Sequence, residues 1–120
     1  MKQQSPEEIV NFRNISNQYN IYLVDLWGVI HNGIKLFDNA IDVLKKLKNE
    51  NKKVVLISNA PRTNETVKKF LLKLNFELSL IDLLVTSGDV TRNYILENSN
   101  KKFYHLGPSK DDDLFYDIKN

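Results

Sequence analysis

At 120 residues the chain amounts to one domain at most, long enough to bury about 65% of its unfolded surface. Its 42% hydrophobic and 27% charged residues exclude a disordered or fibrous class. Lys+Arg 17 against Asp+Glu 15 leaves +2 spread along the chain, which gives nucleic-acid binding no support, and the absence of cysteine excludes disulfides, thiolate metal sites and a cysteine nucleophile. The first residues lack a signal-peptide core and no run approaches about 18 apolar residues, so a cytoplasmic protein with no membrane partner is expected.

Ser5-Pro6-Glu7-Glu8 has the signature of a helix start, followed at helical spacing by Ile9, Phe12, Ile15 and Tyr19. Residues 21–26 then form a nearly unbroken apolar run, which suits an innermost strand buried on both faces of a parallel sheet. Asp25 breaks that run. A buried charge there is expensive, so the carboxylate is expected at the strand's C-terminal edge, facing a crevice. Gly28 and Gly33 let the chain bend around whatever Asp25 addresses.

Asp38 is placed to cap a second helix with Ile41, Val43, Leu44 and Leu47 inward. Residues 53–58 are a second apolar strand, completing a βαβ unit. A third helix starts at Thr63 or Asn64, buries Val67, Phe70, Leu71 and Leu74, and ends at Asn75. A turn over 78–82 leads to a third strand at 83–86, and Ser87 caps a helix carrying Val90, Tyr94 and Ile95. Residues 102–106 read as a fourth strand halted by Gly107-Pro108, and Asp111-Asp112-Asp113 as the start of a last helix through Phe115 and Ile118. The alternation specifies an α/β fold, a three-layer α/β sandwich on a parallel Rossmann-like sheet.

A carboxylate at a strand tip can attack an electrophile or hold a magnesium ion, and it can equally cap its own loop. Ser58 and Asn59, at the tip of the next strand, can donate hydrogen bonds to a phosphoryl oxygen or simply form a polar turn. No glycine-rich phosphate loop of either common pattern is present.

Asp25-Leu26-Trp27-Gly28-Val29-Ile30 and Ile57-Ser58-Asn59-Ala60-Pro61 resemble the first two motifs of the haloacid dehalogenase-like hydrolase superfamily, in its class IIA branch of small-molecule phosphatases. His31-Asn32-Gly33 and Thr86-Ser87-Gly88-Asp89 match further markers of that branch. The resemblance implies that Asp25 is the nucleophile and that Ser58 and Asn59 bind the phosphoryl group of a small phosphorylated metabolite. It also implies a Mg2+ ion held by Asp25 and the backbone carbonyl of Trp27. His31 is either a substrate contact or a solvent-facing loop residue.

Trp27 stands where the family has its second aspartate, the acid and base of the reaction, whose help is typically worth about 10²–10⁴-fold. Indole cannot replace it. The family's lysine and second acidic motif have no counterpart either, since Lys110 and Asp111-Asp112-Asp113 lie too close together. Residues 1–120 therefore resemble a partial core that holds the first two motifs without the cap or the C-terminal core half. The expected protein is a phosphatase-type domain that is weak or inactive alone. Its partner would be a polypeptide carrying the C-terminal half or a second copy of itself, with an apolar sheet flank exposed. Alternatives are a non-catalytic remnant or binding module, and a dehalogenase-like or acyl-phosphate hydrolase.

Overall fold

Strands β1 (Ile21–Asp25), β2 (Lys53–Ser58) and β3 (Leu83–Thr86) pair in parallel in the order β1-β2-β3. The structure, a computed structural model, describes residues 8, 9 and 11–118. Parallel neighbours require crossover connections, and α1 (Asp38–Asn49) and α2 (Asn64–Lys73) supply them. A third helix, α3 (Ser87–Glu97), follows β3 directly. The α/β fold with a parallel sheet is as the sequence indicates.

The register aligns Leu23 with Val55 and Leu83, and Val24 with Leu56 and Leu84. Because side chains alternate along a strand, these rows lie on opposite faces. Tyr22, Val54, Leu56 and Leu84 face α1 and α2, where Leu44, Leu47, Val67 and Leu71 close the core. On the other face Leu23 and Leu83 remain 66% and 55% exposed. An apolar flank is thus open, as the sequence reading expects. One expectation is corrected here: among the described residues β1 pairs with β2 alone, so it is an edge strand buried on one face.

Helix ends follow local chemistry. Thr63 caps α2 by accepting the Thr66 N–H, and Asn75 leaves the helix with φ 62°. At α1 the cap is Phe37 with no side-chain bond, so Asp38 acts within the first turn. Thr86, not Ser87, caps α3, its Oγ1 accepting the Asp89 N–H at 3.0 Å.

Three expected elements differ. The helix start at residues 5–7 lies outside the described residues, and the region after it is a short 3-10 helix at Phe12–Asn14, where Asn11 accepts the Arg13 N–H. Asn and Asp side chains compete with the helical backbone in this way. Residues 102–106 form no strand: none of the described residues pairs with them and Tyr104 is 90% exposed. A strand is a pairing and not a local preference, so its apolar residues do not suffice. The acidic segment is a 3-10 helix, Ser109–Phe115: it carries three consecutive poor helix formers, two of them engaged by tertiary partners, Arg62 for Asp111 and Thr66 for Asp113.

The one-sided core makes a direct prediction. Leu56→Ala is expected to cost about 2–5 kcal/mol, and Leu83→Ala, in the same sheet, under about 1 kcal/mol. Urea unfolding of the two variants beside the parent checks the difference.

Candidate functional site

All three strands end on one edge, where the loops after β1 and β2 meet. The first loop is held by its own backbone. Gly28, at φ 81°, donates its N–H to the His31 carbonyl at 2.8 Å, and Leu26 and Ile30 anchor the loop in the core. Asn32 Oδ1 accepts the N–H groups of Ile34 and Lys35 at 3.0 and 2.9 Å, an Asx turn.

His31 is 4% exposed and not solvent-facing. Its Nδ1 accepts the Gly33 N–H at 3.0 Å, which puts the proton of the neutral ring on Nε2. The ring meets Trp27 and Phe70 edge-on, with centroids 5.4 and 5.3 Å away. Burial lowers its pKa below the ordinary 6.5, and the Asp25 carboxylate opposes that shift. Gly33, at φ 87°, is needed under the indole, since a Cβ there would lie 2.5 Å from Trp27 Cη2. His31-Asn32-Gly33 is therefore the bracket that places Trp27.

Asp25 is exposed and shares a shallow recess of about 290 Å³ with Ser58, Asn59, Ser87 and Val90. Its register partner is Ile57, so the pleat sets Asp25 on the open face and Ser58 on the helix face, and both line the recess at the strand tips. Ser58 Oγ accepts the Ala60 N–H at 3.1 Å. The serine thus shapes a turn, and its hydroxyl hydrogen is still available to donate. Ser58 and Asn59 also wall a second recess of about 400 Å³ with Trp27, His31, Arg62 and Phe70.

Thr86-Ser87-Gly88-Asp89, which motif matching left without a role, straps the β2–α2 loop. The buried Thr86 hydroxyl donates to the Arg62 carbonyl at 2.6 Å, and Ser87 Oγ to the Asn59 carbonyl at 2.9 Å. The Gly88 N–H reaches the Ala60 carbonyl at 3.2 Å, while both Asp89 oxygens accept the Asn64 N–H. A Cβ on Gly88 would stand 2.3 Å from the Arg62 carbonyl oxygen. Arg62 and Phe70 were not singled out as site residues; the signal for Arg62 was its place in the loop that carries Ser58 and Asn59.

A magnesium ion takes hard oxygen ligands in near-octahedral array. The residues here bring the Asp25 carboxylate and the Trp27 carbonyl, and no group of three or more histidines and carboxylates forms among the described residues. This donor set does not make a magnesium site by itself.

Two outcomes are expected. Gly88→Ala should destabilise by about 1–3 kcal/mol in thermal or urea unfolding, because its neighbour is backbone that cannot turn aside. A depressed histidine pKa contributes stability that is present above about 6.5 and is lost as pH falls toward the folded value. The urea midpoint should therefore drop more steeply between pH 7.5 and 5.5 in the parent than in His31→Gln; parallel slopes would contradict the burial of a neutral ring.

With this geometry in view, comparison with known proteins is specific. A profile for haloacid dehalogenase-like hydrolases matches residues 22–118. A hydrolase of the haloacid dehalogenase-like family from Brucella suis 1330 superposes with a TM-score of 0.80 at 29% identity, over 89% of this chain and 39% of its own. A hypothetical protein from Pyrococcus horikoshii OT3 shares the fold, with a TM-score of 0.54 and 24% identity over 75% of this chain and 32% of its own. No curated protein matches the sequence. The chain spans less than half the length of either structure. The motifs at Asp25 and Ser58, the parallel sheet that aligns them and the match across 22–118 agree: the chain belongs to the haloacid dehalogenase-like hydrolase family, consistent with its class IIA branch.

Proposed function

We propose that the chain carries the nucleophile of a phosphatase-type hydrolase that acts in the cytoplasm on a small phosphorylated metabolite. The observation that carries this reading is the exposed Asp25 carboxylate sharing one recess with Ser58 and Asn59 at the strand tips. In the reaction, an Asp25 oxygen attacks phosphorus as the bond to the leaving oxygen breaks, giving an aspartyl-phosphate. Water then attacks phosphorus, frees phosphate and restores the carboxylate. The Ser58 hydroxyl and the Asn59 amide donate to the phosphoryl oxygens, whose charge spreads in the transition state.

The family generally uses Mg2+, which screens phosphoryl charge. Asp25 and the Trp27 carbonyl would contribute two ligands, and the rest, with a charge-neutralising lysine, would come from another polypeptide or a further stretch of chain. The open flank at Leu23 and Leu83 favours a completing C-terminal half, or self-association, as its cover. Burial of β1's bare face and free edge by a C-terminal half would also bring the lysine and acidic ligands, whereas a second copy would cover the flank alone.

Trp27 sets the limits of the activity. Its indole has no proton to give at neutral pH, so the leaving oxygen departs unassisted and alkyl phosphates react slowly or not at all. Aryl and acyl phosphates, with better leaving groups, remain within reach. The same residue favours, as second readings, a dehalogenase-like reaction at Asp25 or a non-catalytic remnant.

The test is hydrolysis of an aryl phosphate with magnesium by the chain, alone and with the polypeptide that completes the core. Turnover that falls at least about 10³-fold in Asp25→Asn and about 10–10²-fold in Ser58→Ala is expected. Turnover indifferent to Asp25→Asn would refute the nucleophile, and none with the complete core would favour the remnant.

A further inference from the structure

Deepening the phosphatase reading, on which this rests, we infer that the 400 Å³ recess bounded by Trp27, Phe70 and Arg62 holds the leaving group, and that the leaving group is an aromatic ring bearing a carboxylate. Three independent features of the recess lead there: its position, its lining and its one cation.

Position comes first. Ser58 and Asn59 are common walls of the two recesses, with Asp25 in one and Arg62 in the other. A phosphoryl group hydrogen-bonded to that pair has the nucleophile on one side. In-line displacement places the leaving oxygen on the opposite side, toward Trp27 and Arg62. The volume falls within the range of small-molecule sites.

The lining selects the body of the group. Trp27 and Phe70 flank the buried His31 ring edge-on, giving an aromatic wall that favours a flat ring. His31 is neutral and already accepts the Gly33 N–H, so it adds no charge. A phenolate also suits a site whose general-acid position is indole, because it leaves without the protonation an alkoxide needs.

The cation selects the substituent. Among the residues lining this recess Arg62 is the one that carries a positive charge. Its Nε lies 3.5 Å from Asp111, a buried carboxylate whose Oδ1 has no hydrogen-bond partner among the described residues. That ion pair lies on the Nε side of the guanidinium. The two Nη groups make no hydrogen bond among the described residues, leaving the fork that takes a carboxylate in two parallel bonds. The Arg62 backbone is fixed by Thr86 and crowded by Gly88, so the side chain starts from a set position on the wall of the recess.

Trp27 is the chain's one tryptophan and stands in the recess, so its emission reports occupancy without turnover. The probes are 4-carboxyphenyl phosphate and its neutral isostere 4-carbamoylphenyl phosphate, titrated into the protein with excitation at the red edge of the indole band. The carboxylate should bind about tenfold or more tightly than the carboxamide. Arg62→Gln should erase that preference, Arg62→Lys should keep part of it, and Asp25→Asn and the exposed Lys69→Gln should leave it whole. Equal affinities in the parent, no change in Trp27 emission at saturation, or a preference that survives Arg62→Gln would overturn the pocket assignment and leave the nucleophile reading standing. A preference that behaves as stated, in a protein that never turns over an aryl phosphate, would sustain the recess as a site for a carboxylated aromatic ring and overturn both its leaving-group role and the catalytic reading.

Discussion

The site depends on strand register. Asp25 pairs with Ile57, and Ser58 pairs with Thr86, so three strand ends arrive within one residue of each other. A slip of one position would turn Asp25 into the helix-covered core and Ser58 onto the open face. What prevents the slip is the alternation itself: Tyr22, Val54, Leu56 and Leu84 must face α1 and α2, because they are the residues that bury. Packing of hydrocarbon on one side of the sheet thereby fixes where a carboxylate and a hydroxyl stand at its tip.

The loops then turn that alignment into a shaped site. The β2–α2 loop carries its donors on irregular backbone, and such backbone holds still only if its polar groups are satisfied. Thr86, Ser87, Gly88 and Asp89 satisfy them from the neighbouring element. On the β1 side the buried neutral His31 and the bare Cα of Gly33 seat the indole of Trp27 on the wall of the recess that Ser58 and Arg62 share. Where the family's second aspartate falls in the motif, the chain presents an indole. On the proposed reading this suits displacement of a group that leaves without help, received in the recess beside Arg62.

Much of this was legible in the residues. The apolar runs at 21–26, 53–58 and 83–86 marked the strands, and a carboxylate interrupting the first marked the tip that matters. Thr63 and Asn75 announced the ends of α2 because their caps are local. The acidic segment and residues 102–106 misled for one reason. Each has a local preference that tertiary circumstances outweigh: Asp111 is drawn onto Arg62, and Tyr104 has no strand to pair with. Likewise a continuous apolar run cannot say whether one face or two will be covered, so the edge position of β1 had no local signature. The role of Thr86 and Gly88 was hidden because their partners lie about 25 residues away in a different loop. His31 was read as open to either solvent or substrate, since nothing in sequence shows that Phe70 closes over it.

The central claim is that Asp25 itself receives the phosphoryl group. The most direct measurement is to expose the completed protein to an aryl or acyl phosphate, quench in acid within a turnover, and map the added phosphoryl mass on peptides. The account predicts an acid-stable, base-labile phosphoryl group on the peptide at Asp25 that is absent from Asp25→Asn. Turnover with no adduct on that peptide, or with the adduct on another residue, would contradict it.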